Sequence, residues 1–363
     1  MNNKYKVTVI DSLSEWEKIA REWDEVLCQS SSNSVFLTWE WLYTWAECFP
    51  EEKRRLFILL VHMGDELVGI APWCIRHTQS RFIPLKQIEF LGKLGASSDY
   101  LDVFSKKGRE REVAIEIYQF LLGNVSSAWD SLMLEDVPSN SLFLLHFTEK
   151  IEEDGKYAEM TRGGFCPYVS LPESKDDFMA TLSQHRRGQY RRDQKILQSP
   201  HNVTHQSFTG KQIEPILDDF VSFFSDKKGY TNESFFSFIK RFALKSVENR
   251  WVQIDMLTSN ASKIACFYQL RYQGTVFGYL MATDKSFNSK VSVGNLLLGL
   301  CLENSISEKM SVYDFLKGTE AHKFHWTNGG RSSLNLFFCQ RNIPALLTVM
   351  GKFLKYLAKC ILK

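Results

Sequence analysis

The chain has 363 residues, 44% of them hydrophobic and 24% charged, which is room for two domains with sizeable cores and excludes a disordered or fibrous class. Its 44 basic and 42 acidic residues leave a net charge of +2, so nothing global marks a nucleic-acid binder and no DNA partner is expected. The opening Met1–Lys6 lacks the apolar core of a signal peptide, and no window reaches the roughly 18 apolar residues that a membrane span needs. A cytoplasmic location follows as the expectation. The eight cysteines, at 28, 48, 74, 166, 266, 301, 339 and 360, form no C-x-x-C pair and are expected to be free thiols.

In chain order, a strand at 5–10 precedes a helix over 14–28, started by the capping box Ser14-x-x-Glu17. An aromatic-rich helix covers 38–48, with Trp39, Trp41 and Trp45. Strands follow at 55–63, 67–77 and 87–91 and around Tyr100–Phe104. A helix at 109–122, a strand at 130–135 and a helix at 140–153 complete the first half. The second half has a helix at 175–198 ended by Pro200, and helices at 211–226 and 231–247. Strands follow at 251–258, 263–272 and 275–283, the last two joined by a Gln273-Gly274 turn. A helix at 294–309 and a strand at 312–316 end the series.

The halves echo each other. Asp65–Ala71 enters a hairpin as Ser262–Cys266 does, and Ala128-Trp129-Asp130 leads into a strand as Val312-Tyr313-Asp314 does. Duplication of one α/β unit explains this better than a solenoid. The expected domains are 1–164, 165–343 and a terminal helix at 344–363. That helix sets Leu346, Met350, Phe353, Leu357 and Ile361 against Lys352, Lys355, Lys359 and Lys363. Such a helix can lie peripherally on an anionic inner membrane, meet a partner complex, or dock on its own protein.

A helix N-terminus offers unpaired N–H groups and partial positive charge, which suits a pyrophosphate. Ser292-Val293-Gly294-Asn295 is the best such start, with Lys290 just before it and Gly294 permitting close backbone approach. An ordinary capped helix is the alternative. On 175–198, Arg187, Arg191 and Lys195 share a face at i, i+4, i+8 and suit an anion, or else form a solvated surface. His322 and His325 lack a third ligand at matching spacing, so no metal is expected. The carboxylates nearest the expected cleft are Asp314 and Glu320, with His322 a further titratable group. Asp314 can equally be a strand-end residue that caps a loop.

The run Asp314-Phe315-Leu316-Lys317-Gly318-Thr319-Glu320-Ala321-His322-Lys323-Phe324-His325-Trp326 resembles the GNAT-like acetyltransferases of the CelD or cellulose-biosynthesis type, relatives of the Fem peptidoglycan aminoacyltransferases. Asp314, Phe315, Leu316, Gly318, Glu320, Lys323 and Trp326 match that family's pattern. Lys317 stands for its Arg, Thr319 for an acid and His322 for a Tyr. Phe36–Leu42 and Ser98-Asp99-Tyr100-Leu101-Asp102 are similar to further family motifs.

The resemblance implies tandem GNAT-like domains, each a mixed, mostly antiparallel sheet flanked by helices. It implies acetyl-CoA or another acyl-CoA as co-substrate and direct transfer to the amine of an amino sugar or a cell-envelope or exopolysaccharide intermediate. Asp314, Glu320 and His322 become candidates for catalysis. Ser292, Val293, Gly294, Asn295 and Lys290 become candidates for the donor site. Asp99, Tyr100, Arg187, Arg191, Lys323 and Trp326 become candidate substrate contacts. Backbone N–H groups over 279–283 are candidate oxyanion donors. Two other readings stay open: Fem-like aminoacyl transfer from charged tRNA, and a non-catalytic module of a polysaccharide synthesis complex.

Overall fold

The computed structural model describes residues 5–50, 54–80, 83–198, 202–287 and 291–339. Contacts divide the chain into two compact units. One holds the residues up to Gly163 and those from Ser332 onward; the other runs from Gly164 to Arg331. The terminal helix expected over 344–363 and the side chain of Lys290 lie outside the described residues.

In chain order the first unit begins with β1 (Tyr5–Ile10), α1 (Leu13–Glu17), α2 (Ala20–Cys28) and α3 (Trp39–Cys48). The helix expected over 14–28 is thus two helices, and Ser12 rather than Ser14 caps the first, accepting from the Glu15 N–H at 3.4 Å. Next come β2 (Arg54–Leu56), β3 (Ile58–Met63), β4 (Glu66–Ala71), β5 (Trp73–Ser80), β6 (Ile83–Phe90), β7 (Phe104–Ser105), α4 (Glu110–Leu122), β8 (Ser131–Pro138) and α5 (Leu142–Glu153). Two expected strands are interrupted. Residues 55–63 break at Phe57 and 67–77 break at Pro72, which has no N–H to give a ladder. The breaks transfer the chain between two sheets, ordered β1-β3-β4-β7 and, within this unit, β2-β5-β6-β8. Phe57 N–H donates to the Trp73 carbonyl at 3.0 Å, tying the two breaks together.

The core of this unit is aromatic. Trp16, Trp23, Trp41, Trp73 and Trp129 are all buried. Three of their indole N–H groups find partners: Leu37 O (2.8 Å) for Trp23, Ser98 Oγ (2.8 Å) for Trp41 and Leu121 O (3.0 Å) for Trp129. Large rings bury much area, and their polar edges need a partner once inside.

The chain passes between the units along β9 (Ala158–Ser170). The second unit contains α6 (Lys175–Thr181), α7 (Gln184–Gln194), β10 (Val203–Thr209), α8 (Leu217–Lys228), α9 (Glu233–Lys245), β11 (Val252–Ser259), β12 (Ser262–Tyr272), β13 (Thr275–Thr283), α10 (Val293–Ser307) and β14 (Val312–Asp314). The single helix expected over 175–198 is broken at Leu182, whose ψ of 148° leaves the helical region; Ser183 then caps α7. Its sheet runs β10-β11-β12-β13-β14-β9. All pairings are antiparallel except β13 with β14, which is parallel from Thr275↔Val312 to Phe277↔Asp314. A parallel neighbour requires a crossover, and α10 supplies it. Leu296, Leu297, Cys301 and Leu302 of α10 are buried in the core of this unit with Leu257, Ile264 and Tyr313.

Each unit therefore has antiparallel strands followed by a helix that leads to a strand parallel to an earlier one. In the first unit the series is β6-β7-α4-β8, with β8 parallel to β6 and the short β7 in the other sheet. Both units are mixed α/β structures, as the sequence leads one to expect. The domain boundary differs in one respect. Residues 330–339, for which no strand is expected and which fall in the expected 165–343 domain, form a final strand, β15 (Gly330–Cys339), that from Ser332 onward belongs to the first unit. It pairs antiparallel with β8, because Leu336, Phe337 and Phe338 complete that unit's core.

Candidate active site

β14 accompanies β13 only as far as Phe277, so Leu280 to Thr283 lie beyond the parallel pairing. The start of α10 sits against this end of β13. A Cβ placed on Gly294 would meet Thr283 Cγ2 at 3.2 Å and Met281 Sδ at 3.5 Å. Ser292, the N-cap, gives no side-chain hydrogen bond to the helix, and the first turn carries no acidic residue. The N–H groups of this turn thus keep their partial positive charge without a side-chain cap. Ser292, Val293, Gly294 and Asn295 stand together here as the sequence suggests.

A cavity of about 280 Å³ opens beside this helix start. It is lined by Asn295, by His325 and Trp326 from the turn after β14, and by Arg186, Tyr190 and Asp193 from α7. Asn295 Nδ2 and His325 Nδ1 are 3.4 Å apart. Trp326 packs edge-on to Tyr190, ring centres 5.3 Å apart. Both are nearly enclosed, at 5% and 4% exposure; the indole Nε1 has no hydrogen-bond partner, and the phenol faces Glu303 and Gln194. Burial, followed by the nearby Glu303 carboxylate, drives the Tyr190 phenol far above its ordinary pKa, so it stays protonated. Gly299 makes the cluster possible: a Cβ there would lie 2.2 Å from Tyr190 Cε2 and 2.7 Å from Trp326 Cη2.

Asp193 is 2% exposed. Its Oδ1 accepts from Gln189 Nε2 at 3.0 Å, and Gln189 Oε1 in turn accepts from Arg192 at 2.7 Å. Burial raises the pKa of this carboxyl, against the lowering effects of Gln189 and Arg192.

In the acidic run that follows β14, the loop-capping reading of Asp314 matches the geometry. Asp314 is 0% exposed and holds a turn: its Oδ1 accepts from the Leu316 N–H at 2.8 Å, and Arg331 lies 3.5 Å from Oδ2. That bond secures Leu316 at φ +57°, a conformation costly for a branched side chain. Lys323 is also buried, donating to the carbonyls of Leu316 (3.1 Å) and Lys317 (2.9 Å) and pairing with Glu320 at 3.0 Å. Glu320 folds over Gly318, where φ is +138° and a Cβ would meet the carboxylate at 2.2 Å. Burial raises the Glu320 pKa, but the backbone N–H, Lys323 and His322 outweigh it and hold the carboxyl low. Glu320 is therefore a poor base, and Lys323 has no donor left for a substrate. His322 is exposed at the surface, its imidazole pushed down by partial desolvation and by Lys323, His325 and Lys228, against Glu320. The run is a scaffold that delivers His325 and Trp326 to the cavity.

The α7 candidates are likewise redirected. Arg187 reaches back to the carbonyls of Met179 (3.4 Å) and Ala180 (3.3 Å) at the end of α6. Arg191 is exposed and lines no part of the cavity. The neighbouring face, carrying Arg186, Gln189, Tyr190 and Asp193, is the one that does. Asp99 and Tyr100 belong to the first unit. Beside them Asp102 is buried, accepting from Ser32 Oγ, Ser141 Oγ and Val103 N–H, each at 2.8 Å. Burial raises its pKa to about 7, against those three hydrogen bonds.

One further polar cluster occurs in the second unit. His205, Asp255 and Cys301 bring their donor atoms within 4.8 Å of one another. The buried Asp255 already bonds His205 (2.9 Å), Ser207, Gln253 (2.7 Å) and Gln269 (2.5 Å), so the protein itself satisfies it.

Residues 174–324 match the family described as acetyltransferase (GNAT) domain. The second unit therefore carries a GNAT acetyltransferase domain. Solved structures share the fold over almost the whole chain. FemX is 9% identical, with 92% of this chain and 97% of that one aligned at a TM-score of 0.59. L-PGS from Bacillus licheniformis is 10% identical over 93% and 96% of the two chains, with a TM-score of 0.55. The C-terminal domain of a putative lysylphosphatidylglycerol synthetase from Agrobacterium fabrum gives 10% identity, the same coverage and 0.56. At such identities the likeness is one of fold. The sequence matches no curated protein. Among the described residues, no helix is long and apolar enough to cross a membrane.

Proposed function

We propose that the protein transfers an acyl group from acyl-CoA, acetyl-CoA in the first instance, to the amine of an amino sugar or a related cell-envelope or exopolysaccharide intermediate. One observation carries the donor: the uncapped start of α10 is pressed against β13 beyond the point where β14 leaves it. A pyrophosphate fits the N–H groups of the first turn, and a pantetheine arm fits along the half-buried end of β13. The transfer is direct. The amine nitrogen attacks the thioester carbonyl, the C–S bond breaks, and the sulfur leaves with the electron pair. The acceptor class rests on the sequence resemblance.

Calorimetric titration with CoA and acetyl-CoA tests this reading. Binding at micromolar to millimolar concentration is expected, weakened at least tenfold by Gly294→Val, whose side chain meets Thr283. A wild-type protein that binds neither compound at millimolar concentration overturns it.

Aminoacyl transfer from a charged tRNA has one observation of its own, the exposed Arg191 and Lys195 of α7, which do not line the cavity. That reading requires tRNA binding that falls steeply with salt.

A further inference from the structure

We propose that the α7 cavity is the acceptor site, and that its ligand carries both a primary ammonium, held by Asp193, and an anionic group, carboxylate or phosphate, held by Arg186. The inference rests on the reading of the protein as an acyl-CoA-dependent N-acyltransferase and specifies what that enzyme acylates.

Arg186, Gln189, Tyr190 and Asp193 recur at three- and four-residue spacing, so they share one face of α7, and all four line the cavity. At one end the Asp193 carboxylate is enclosed, with a single neutral amide as its hydrogen-bond donor. A buried carboxylate so weakly compensated is costly unless a cation joins it. Arg192 does not fill that place, because it is exposed and spends its guanidinium on Gln189. The Gln189 amide is thereby oriented with its NH₂ toward Asp193, and the second carboxylate oxygen is left for a ligand.

At the other end Arg186 is half-buried and has no carboxylate partner among the described residues. His185 also lines the cavity. Seven residues separate Arg186 from Asp193, about 10.5 Å along the helix axis, and the long Arg side chain shortens the gap. The Trp326 indole N–H, more than nine-tenths buried, has no partner. It is a donor in want of an acceptor oxygen, which a sugar hydroxyl or a carboxylate supplies. A volume of about 280 Å³ admits a molecule the size of one sugar ring or one amino acid.

The arrangement also serves the chemistry. Asp193 takes one proton from the ammonium before attack, which frees the nitrogen lone pair, and the second proton, shed as the N–C bond forms, goes to the departing CoA thiolate; burial makes this carboxylate a better base than an exposed one.

Calorimetry on the full chain decides the matter, with glucosamine 6-phosphate, glucosamine, glucose 6-phosphate and alanine as probes. At least one of the two doubly charged ligands, glucosamine 6-phosphate or alanine, is expected to bind ten times more tightly than both single-charge sugars. Which of the two does so separates a phosphate source from a carboxylate source. Asp193→Asn is expected to erase the preference for an ammonium. Arg186→Gln, at a half-exposed position where folding is not at stake, is expected to erase the preference for the anionic group. CoA affinity should stay within twofold in both variants, which also verifies that they fold. The acceptor assignment is overturned if both doubly charged probes bind no better than the single-charge sugars, or if the variants retain wild-type preferences while still binding CoA. Loss of CoA binding by the wild type would instead overturn the donor reading.

Discussion

Replacing Gly299 with alanine sets two opposing effects against each other at one atom. In an exposed helix interior this change stabilises by up to about 1 kcal/mol, because glycine loses the most backbone freedom on folding. In α10 the new methyl would stand 2.2 Å from Tyr190 Cε2, 2.6 Å from Tyr190 Cζ and 2.7 Å from Trp326 Cη2. Ordinary contact needs roughly 3.5–4.0 Å, so two enclosed rings must retreat by about an ångström or more. Overpacking of this kind costs about 1–3 kcal/mol. With rings on both sides the upper part of that range applies, and the net change is a loss of about 1–2 kcal/mol. The same retreat narrows the cavity, so acyl-transfer activity should fall at least tenfold.

Gly188→Ala, in the middle of α7, is the control. Its methyl meets only the end of the flexible Arg192 side chain, at 3.4 Å, so a gain of about 0.5–1 kcal/mol is expected. Urea denaturation and the release of free CoA thiol measure the two effects. Should Gly299→Ala prove as stabilising as Gly188→Ala and leave turnover intact, the packing of Tyr190 and Trp326 on α10 would be wrong.

Asp102 makes the first unit sensitive to pH. Its folded pKa of about 7 lies above the ordinary carboxyl value of 3.8, so the folded state holds this proton more tightly than the unfolded chain does. Stability from this group is full below about pH 4 and is lost as pH rises through 7, a decline of about 4 kcal/mol at roughly 1.4 kcal/mol per unit. Urea midpoints at pH 5 and pH 8 should differ less in Asp102→Asn than in the wild type, and an unchanged difference would contradict the assignment. Lys323→Met leaves the carbonyls of Leu316 and Lys317 without their donor, at a cost of about 1–3 kcal/mol. Its unfolding midpoint and its thiol release should fall together, since the turn positions Trp326. Of the described cysteines, Cys28 is exposed and should react promptly with a thiol reagent. Cys266, whose thiol burial pushes up to about 12, and Cys301, raised further by burial and Asp255, should react only on unfolding.

The hairpin of β12 and β13 and the start of α10 were legible because local chemistry decides them. Gln273 and Gly274 both take positive φ, as a tight hairpin turn requires, and Gly294 marks the helix that leans on β13. Of the two readings open for Asp314, catalytic acid or loop cap, the sequence could not choose for want of β9. That strand carries Gly163, Gly164 and Pro167, which interrupt any strand pattern, and once it lies against β14 the acid is interior. On α7 the sequence drew attention to Arg187, Arg191 and Lys195, which form the cleaner charge stripe, and left open whether it meets an anion or only solvent. The cavity face mixes Arg186, Gln189, Tyr190 and Asp193, and no periodicity announces it. Its orientation depends on the break at Leu182 and on the space that Gly299 leaves for Tyr190.

The division of the first unit between two stretches of chain bears on how the protein is made. Its last core strand begins at Ser332, after the whole of Gly164–Arg331 has been synthesised. At about 5–20 residues per second, the ribosome delivers that strand roughly 10–40 s after β8 has emerged. Until then the edge of β8 and the rings of Tyr118, Trp129 and Phe147 lack the Phe338 that packs against them. During translation the second unit is thus the first that can finish folding. A fragment ending at Gly163 should emerge as a sticky, incompletely packed chain that binds hydrophobic dyes.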